Sequence, residues 1–410
     1  MRLAERIPDP NVWRVYRATL ALGLAYGIAI SLTAIFLDQI GFEKSDIGTL
    51  AAWFATGIVA LSLPMGALIR RFSAKTTLAV ALGGYAITVS VFPFLHTYAS
   101  IAVVRFFDGA FSVGVWVSSE TILLERSGKD NKAFVTSLYA IAIAVGYVVG
   151  PLAARAIAAV APLREGFLAA GALAAVTSVY VTTRLERSPK ASERDEAGAA
   201  SETGRVAPAG SALGVLWRIK TSCFGTFAYG YFQASVVLFL PLYLMEAKGV
   251  AEKQTIIIPA FFAAGMLLFS NYAGRLGDRY GHLLLMRLLG SIGTAMVLGF
   301  VFLHSFALMG LAVFVAGATL ASISPVSLAL QGVVSAPEEY SRATSIYNAF
   351  YAAGMLLGPP ISSVIFERVG GAAMLYHLAA LWGGFVAFSL LFYRDDPAAR
   401  RAPELAAPPV

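Results

Sequence analysis

Charge is scarce in this sequence. Only 13% of its 410 residues are Asp, Glu, Lys or Arg, whereas 58% are hydrophobic; a soluble domain carries about 25% charged residues. Two ordinary cores cannot absorb that much apolar side chain. Apolar runs of about 20 residues can cross a bilayer, so the composition implies a polytopic membrane protein. Cysteine is nearly absent. Cys223 stands alone, which excludes an internal disulfide framework and a cysteine-rich metal site. In its apolar stretch it is expected to be a small packing residue. There are four histidines. His96, His304 and His377 fall near expected span edges, and no pair has metal-ligand spacing, so no metal is expected. No phosphate-cradling loop and no nucleophile motif occurs, which argues against a nucleotide-driven pump, an enzyme or a bound cofactor. No small-residue cleavage site follows a short apolar core near the start, so the first long apolar segment reads as a retained helix.

What the chain has is a repeat. Residues 136–151 read TSLYAIAIAVGYVVGP and residues 344–359 read TSIYNAFYAAGMLLGP, an offset of 208. Gly146, Gly150 and Pro151 thus recur as Gly354, Gly358 and Pro359. The same offset carries Gly66 to Gly274, Arg71 to Arg279 and Gly109 to Gly317. A fixed offset near half the chain length means two copies of one design. Twelve candidate spans follow, six per copy, near 13–38, 46–69, 76–95, 99–124, 132–158, 165–184, 219–245, 254–273, 283–303, 306–335, 340–366 and 371–393. The expected architecture is an all-α membrane protein of two pseudo-symmetric six-helix bundles: an N-terminal bundle over 1–184, a linker over 185–214, a C-terminal bundle over 215–393 and a tail over 394–410. The linker is charged and rich in Ala, Ser, Gly and Pro, a composition that disfavours a packed core.

The net charge of +7 could suggest nucleic acid, but the basic residues are scattered among short loops. Twelve spans place both termini and the linker on one side, which then holds 24 of the 31 Lys and Arg residues. The basic side is cytoplasmic. A multi-pass protein of the cell (inner) membrane is expected, with both termini cytoplasmic.

Between the eighth and ninth spans stands Gly274-Arg-Leu-Gly-Asp278-Arg279-Tyr-Gly281-His282. It resembles the signature loop of the major facilitator superfamily. The counterpart after the second span, Gly66-Ala-Leu-Ile-Arg70-Arg71-Phe-Ser73-Ala-Lys75, replaces the acid with Arg70 and the second glycine with Ser73. Arg105-Phe-Phe-Asp108-Gly109 resembles that family's Arg-x-x-Gln-Gly motif with Asp for Gln. Gly146-x-x-x-Gly150-Pro151 resembles the stretch the family associates with antiporters, although Ala153 and Ala154 stand where that pattern has glycines. The resemblance implies the twelve-helix fold, and a cavity surrounded by the first, fourth, seventh and tenth spans. Physically, small-xxx-small spacing lets helices approach closely and proline permits a bend. Residues 146–151 and 354–359 can therefore serve plain packing or gating.

At about 100° per residue, Arg105, Asp108, Gly109, Ser112, Trp116, Ser119 and Glu120 share one face of the fourth span. Charges inside a span face protein or a water-filled cavity, so this stripe either lines a path or holds a structural pair. Milder stripes are Tyr26 and Thr33 in the first span, Tyr229 and Gln233 in the seventh, and Ser324, Ser327 and Gln331 in the tenth. In the eleventh, Tyr347 and Tyr351 share the face of Gly354 and Gly358. Tyr26, Trp116, Tyr229, Gln233 and Gln331 are expected to border one central cavity. Substrate contacts are expected from these five and from Thr33, Ser112, Ser327 and Tyr351. Glu120 is expected to take up and release protons, with Arg105 and Asp108 holding the helix. In the cytoplasmic gate, Arg70 or Arg71 is expected to meet Glu338 or Glu339, and Asp278 the start of the fifth span near 131–134.

The function these readings give is proton-coupled efflux of a small amphipathic organic compound by a secondary transporter, acting as a monomer. Its partners would be the substrate, protons and the lipid bilayer. Proton-linked uptake of a metabolite, and a transport-inactive receptor or assembly partner, are the alternatives.

Overall fold

Each apolar stretch becomes a helix, because in hydrocarbon every backbone N–H and C=O must find its partner within the segment. The computed structural model describes residues 7–127, 132–186, 212–336 and 339–396. Twelve helices in it are long and apolar enough to cross a membrane. We number them α1 (Pro10–Gln39), α2 (Lys44–Phe72), α3 (Ala74–Val91), α4 (Tyr98–Arg126), α5 (Lys132–Val160) and α6 (Leu163–Arg184). The second set is α7 (Ala212–Lys248), α8 (Ile258–Tyr280), α9 (His282–Phe300), α10 (Phe306–Thr319 and Ile323–Val334), α11 (Tyr340–Val369) and α12 (Gly371–Leu391). Among the described residues there is no strand. Large apolar side chains stand open on the outside, such as Val80 at 62% and Val176 at 66% exposure, as suits a surface solvated by lipid and not by water.

Contacts divide the chain into two compact units. Unit 1 holds the described residues of 1–42, 49–204 and 252–260; unit 2 holds those of 43–48, 205–251 and 261–410. In unit 1, α1 packs on α5, α6 and α4, and α3 packs on α4 and α6. In unit 2, α7 packs on α11, α12 and the second half of α10, and α9 packs on α10 and α12. The equivalent pairs are α1–α5 with α7–α11 and α3–α6 with α9–α12.

Glycine sets those approaches. A Cβ on Gly146 would lie 2.6 Å from the Gly23 Cα, and one on Gly150 would lie 2.5 Å from the Gly27 Cα. In unit 2 the eleventh helix repeats this, with Gly354 against the Phe227 carbonyl and Gly358 against the Tyr231 carbonyl. A second contact doubles the pattern. Gly57 would place a Cβ 1.9 Å from the Phe106 oxygen, and Gly109 would do the same to the Phe54 oxygen at 1.9 Å. At the 208-residue offset, Gly265 faces the Phe314 oxygen at 2.0 Å and Gly317 faces the Phe262 oxygen at 2.1 Å.

The prolines singled out in the repeat do not interrupt their helices: α5 runs through Pro151 and α11 through Pro359 and Pro360. The interruption falls in α10, expected as one helix over 306–335. Pro325 accounts for it: proline has no N–H to donate to the Ala321 carbonyl, and its ring crowds that oxygen. The Ala321 carbonyl accepts the Ser324 N–H at 3.3 Å instead, and hydroxyls add bonds to neighbouring carbonyls, as non-helical backbone at membrane depth requires. Ser322 Oγ donates to the Ala318 carbonyl at 2.6 Å, and Tyr347 Oη donates to the Ser324 carbonyl at 2.9 Å.

Helix starts follow sequence chemistry. Asp9 caps α1 by accepting the Asn11 N–H at 2.8 Å, with Pro10 in the first turn. Burial pushes the Asp9 carboxyl up, but the Asn11 N–H and the Arg126 guanidinium, 2.9 Å away, outweigh it and hold the group below its usual range. Cys223 is buried in a cluster with Val215, Ile219 and Ala343.

Candidate functional site

In unit 1 the site grows from α4. Arg105 Nη1 donates to Asp108 Oδ2 at 2.5 Å, one turn apart. The guanidinium also lies over the Phe54 ring, 4.5 Å from its centroid, a favourable cation–π position. Asp108 is 5% exposed, and among the described residues its Oδ1 has no hydrogen-bond partner. A cavity of about 10 Å³ adjoins the pair, lined in part by Thr33, Thr88 and Phe92; that is room for a single water at most. One turn on, Ser112 Oγ donates to the Asp108 carbonyl at 2.6 Å and accepts from Tyr26 Oη.

Tyr26 sits in an aromatic nest. It stacks on Tyr85 with centroids 5.0 Å apart and planes at 6°, and meets Trp116 at 6.0 Å, Tyr147 at 6.2 Å and Phe54 at 6.4 Å. Offset-stacked and edge-on contacts of this kind suit the ring quadrupoles. Thr33 is buried and donates to the Ala29 carbonyl at 2.8 Å. The polar stripe of α4 therefore turns into unit 1: Asp108, Ser112 and Ser119 are buried and Trp116 is half-buried. Glu120 is exposed and forms no ion pair among the described residues.

In unit 2 the aromatic theme recurs without charge. Tyr229 stacks on Tyr351 at 5.9 Å and 24°, and its hydroxyl lies 3.7 Å from the Met266 sulfur. Tyr351 Oη donates to Gln233 Oε1 at 3.2 Å. Below them Ser327 Oγ and Tyr347 Oη are 2.8 Å apart, while Gln331 is buried and reaches Ser335 Oγ at 3.5 Å. The structure thus joins Tyr26 with Ser112 and Trp116 in unit 1, and Tyr229 with Gln233 and Tyr351 in unit 2. Ser327 and Gln331 lie apart from that second group, inside the bundle.

Several partners were not legible beforehand. Tyr85 lies on a span with no polar stripe to mark it. Tyr147 adjoins Gly146 in the repeated stretch, and that adjacency was the available signal. His377, expected at a span edge, is drawn into unit 2 by a 2.8 Å hydrogen bond with Tyr231 Oη.

At the expected gate, Gly66, Arg70 and Arg71 are exposed. Glu339 is held by Arg218 of its own unit, and Glu338 lies outside the described residues. Asp278 meets His282 Nε2 at 3.2 Å, Arg279 lies over the Tyr280 ring at 5.2 Å, and a Cβ on Gly274 would meet nothing. The start of α5 near 131–134 is only partly described. Among the described residues no cluster of His, Cys, Asp or Glu could hold a metal ion.

Comparison with known proteins supports one family. The model of the Major Facilitator Superfamily matches residues 17–222 and 222–409. The MFS-type transporter YcaD of Salmonella arizonae is 22% identical over 376 residues, covering 88% of this chain and 90% of its own. YfkF of Bacillus subtilis, also an MFS-type transporter, is 22% identical over 368 residues with the same coverage, 88% and 90%. Among solved structures, the nucleoside transporter NupG superposes with a TM-score of 0.74 at 14% identity, covering 94% of this chain and 99% of that one. A bacterial homologue of the human lysosomal transporter Spinster, inward-facing and occupied, gives 0.77 at 12% identity, with 94% and 97% covered. Duplicated six-helix units, the signature turns and these matches agree: the chain is a multi-pass membrane transporter, not an enzyme, and it belongs to the major facilitator superfamily.

Proposed function

We propose that the protein exports a small amphipathic organic compound in exchange for protons, by alternating access. The observation that carries this reading is the content of α4. One face holds a buried acid bound to arginine, Asp108, and a second acid with no ion pair, Glu120, beside aromatic side chains. Tyr26 and Trp116 in unit 1, and Tyr229, Gln233 and Tyr351 in unit 2, offer ring faces with few charges. That chemistry suits an amphipathic cargo better than a polyanion. Thr33, Ser112, Ser327 and Gln331 complete the set assigned to substrate.

Glu120 carries the proton in this scheme. It stands about 22 Å along α4 from Arg105, so it lacks the partner that Asp108 has. Arg105 holds Asp108 and thereby shapes the helix. The signature turns at Gly66, Arg70 and Arg71, and at Gly274, Asp278 and Arg279, are assigned to gating together with Glu338, Glu339 and the Gly-Pro stretches at 146–151 and 354–359. The Lys and Arg asymmetry supports an inner-membrane location with both termini cytoplasmic. The protein acts as a monomer.

A specific feature favours a second assignment of the proton. Asp108 Oδ1 is buried without a partner, and a buried carboxylate avoids that cost by taking a proton. Proteoliposomes separate the two. An imposed proton gradient should drive extrusion of ethidium, an aromatic amphiphile, by the parent protein. Glu120→Gln should abolish gradient-driven extrusion and leave dye binding and passive exchange intact, whereas Asp108→Asn should damage folding or binding. Uphill transport by Glu120→Gln at the parental rate would remove Glu120 from the mechanism. Loss of coupling with intact binding in Asp108→Asn alone would move the proton to Asp108. Absence of proton flux with any amphiphile would sink the exchange itself.

A further inference from the structure

His377 stands about 9 Å into α12 from Gly371, within an apolar span. Its Nε2 and Tyr231 Oη of α7 are 2.8 Å apart, and the two rings meet edge-on with centroids 5.4 Å apart. Around the tyrosine, Ser362 Oγ of α11 donates to Ser235 Oγ at 2.9 Å, and Ser235 Oγ donates to the Tyr231 carbonyl at 2.8 Å. The imidazole Nδ1 is buried, and among the described residues it has no hydrogen-bond partner. Four polar side chains from three helices thus gather in unit 2, and none of them has a part in the proposed exchange.

The first repeat builds the same junction from smaller parts. Gly150 of α5 lies against Gly27 of α1, whereas its equivalent Gly358 lies against Tyr231 of α7. At the 208-residue offset, Ser362 and His377 answer to Ala154 and Ala169. A glycine and two alanines suffice there, so neither the imidazole nor the phenol that reaches it is required by the fold. An ionisable side chain within a span is costly and marks a functional site, and histidine is the one whose charge changes near neutral pH. No fixed charge stands beside it. The sequence holds no Asp, Glu, Lys or Arg at 221–245 of α7, 288–303 of α9, 343–366 of α11 or 371–393 of α12, and these are the helices packed on α12 and α12 itself. Of the other titratable groups toward this end of the unit, Tyr376 is exposed and Tyr243 packs on Gly371. Glu367 accepts the Ser45 N–H at 2.8 Å, Glu246 pairs with Lys44 at 2.6 Å, and Lys248 donates to the Val301 carbonyl at 2.6 Å.

We propose that His377 is a proton-binding site in unit 2. In the neutral ring Nε2–H donates to Tyr231 Oη and the Nδ1 lone pair stays open. The proton comes from the aqueous phase and adds to that lone pair; no bond within the protein breaks. The charged ring then carries two N–H groups, and the packing around Nδ1 supplies no acceptor for the second. Water has to reach it, so a proton on His377 favours a state in which α12 stands looser against α7 and α11. The site is separate from Asp108 and Glu120, and it stands whether or not either of them carries a proton.

The test uses the full-length protein in lipid nanodiscs, with nitrogen-15 in its histidine rings, and no substrate or gradient. Ring nitrogens are read by NMR as pH is changed. The chain has four histidines, and His377→Gln should remove one set of signals. If that variant fails to fold, the combined His96→Gln, His282→Gln and His304→Gln variant leaves the His377 signals alone and assigns them. At about pH 8 the His377 ring should show one bare nitrogen, Nδ1, and one N–H; by about pH 5 both nitrogens should carry protons. Tyr231→Phe removes the acceptor of Nε2–H and should mix the two neutral tautomers. A ring that keeps a bare nitrogen across the whole range would make the pair structural and overturn the site. A ring doubly protonated at both ends would be a fixed cation and overturn it equally. A single neutral tautomer persisting in Tyr231→Phe would overturn the arrangement with Tyr231. Since no transport is measured, a negative result leaves the proposed exchange standing, and failure of proton-driven extrusion leaves this site standing.

Discussion

Helices α4 and α10 hold equivalent places in the two repeats and are built in opposite ways. At the 208-residue offset, Arg105, Asp108, Ser112 and Glu120 of α4 answer to Val313, Ala316, Leu320 and Leu328 of α10, and Val117 answers to Pro325. One helix is continuous and charged; the other is neutral and broken at 320–322. What they share is the glycine contact with the preceding helix pair, Gly109 on Phe54 in one and Gly317 on Phe262 in the other. Duplication kept the packing that sets the fold and let the two copies diverge where chemistry is done. In the proposed function, unit 1 carries the protons on a rigid helix. Unit 2 supplies a helix already interrupted at 320–322.

The comparison can be broken most severely from the charged side. Arg105→Gln leaves Asp108 buried without its cation and is expected to cost ~3–5 kcal/mol, read as a large fall in melting midpoint. Adding Asp108→Asn should restore much of it. A single Arg105→Gln that melts like the parent would show that the pair does not hold α4. The shared feature comes next. Gly109→Ala and Gly317→Ala both drive a methyl into a backbone oxygen, and each should cost about 2–3 kcal/mol. Gly274→Ala, whose Cβ meets nothing, should be neutral or slightly stabilising. Unequal losses at Gly109 and Gly317 would mean the two contacts are not equivalent after all.

From the broken side, Pro325→Ala restores the missing N–H. It should raise stability by about 1–2 kcal/mol while slowing transport, because the helix loses its interruption. Parental transport with a continuous α10 would reduce the break to packing. The smallest effect concerns the turns. Gly281 has φ of 98° and Ser73, its counterpart, has φ of 79° with ψ of 150°, a region nearly confined to glycine. Ser73→Gly should therefore stabilise by about 1 kcal/mol, less whatever the cap to Thr76 contributes. Gly281→Ser should destabilise by a similar amount. Scanning calorimetry of the two single variants decides whether the second turn tolerates what the first has accepted.

The sequence by itself determined the repeat, the twelve spans and the family. Each of these rests on local or periodic properties: an apolar run of that length spans, a fixed offset means duplication, and the signature turns stand at fixed places in the repeat. It also placed Arg105 beside Asp108, because residues three apart on a helix are neighbours. Tertiary structure alone decided which faces meet. The nest of Tyr85 and Tyr147 around Tyr26, the capture of His377 by Tyr231 and the holding of Glu339 by Arg218 join residues far apart in the chain. No periodicity announces such pairs, since they depend on how helices rotate about their axes once glycine lets them touch. The break in α10 lies between the two. Pro325 was visible, but so were Pro151 and Pro359, and their helices run on unbroken. At 320–325 the Ala321 carbonyl that Pro325 leaves free accepts the Ser324 N–H, and the hydroxyls of Ser322, Ser327 and Tyr347 add bonds to the Ala318 and Ser324 carbonyls; it is this local satisfaction, beside the proline, that makes an interrupted helix stable in a membrane.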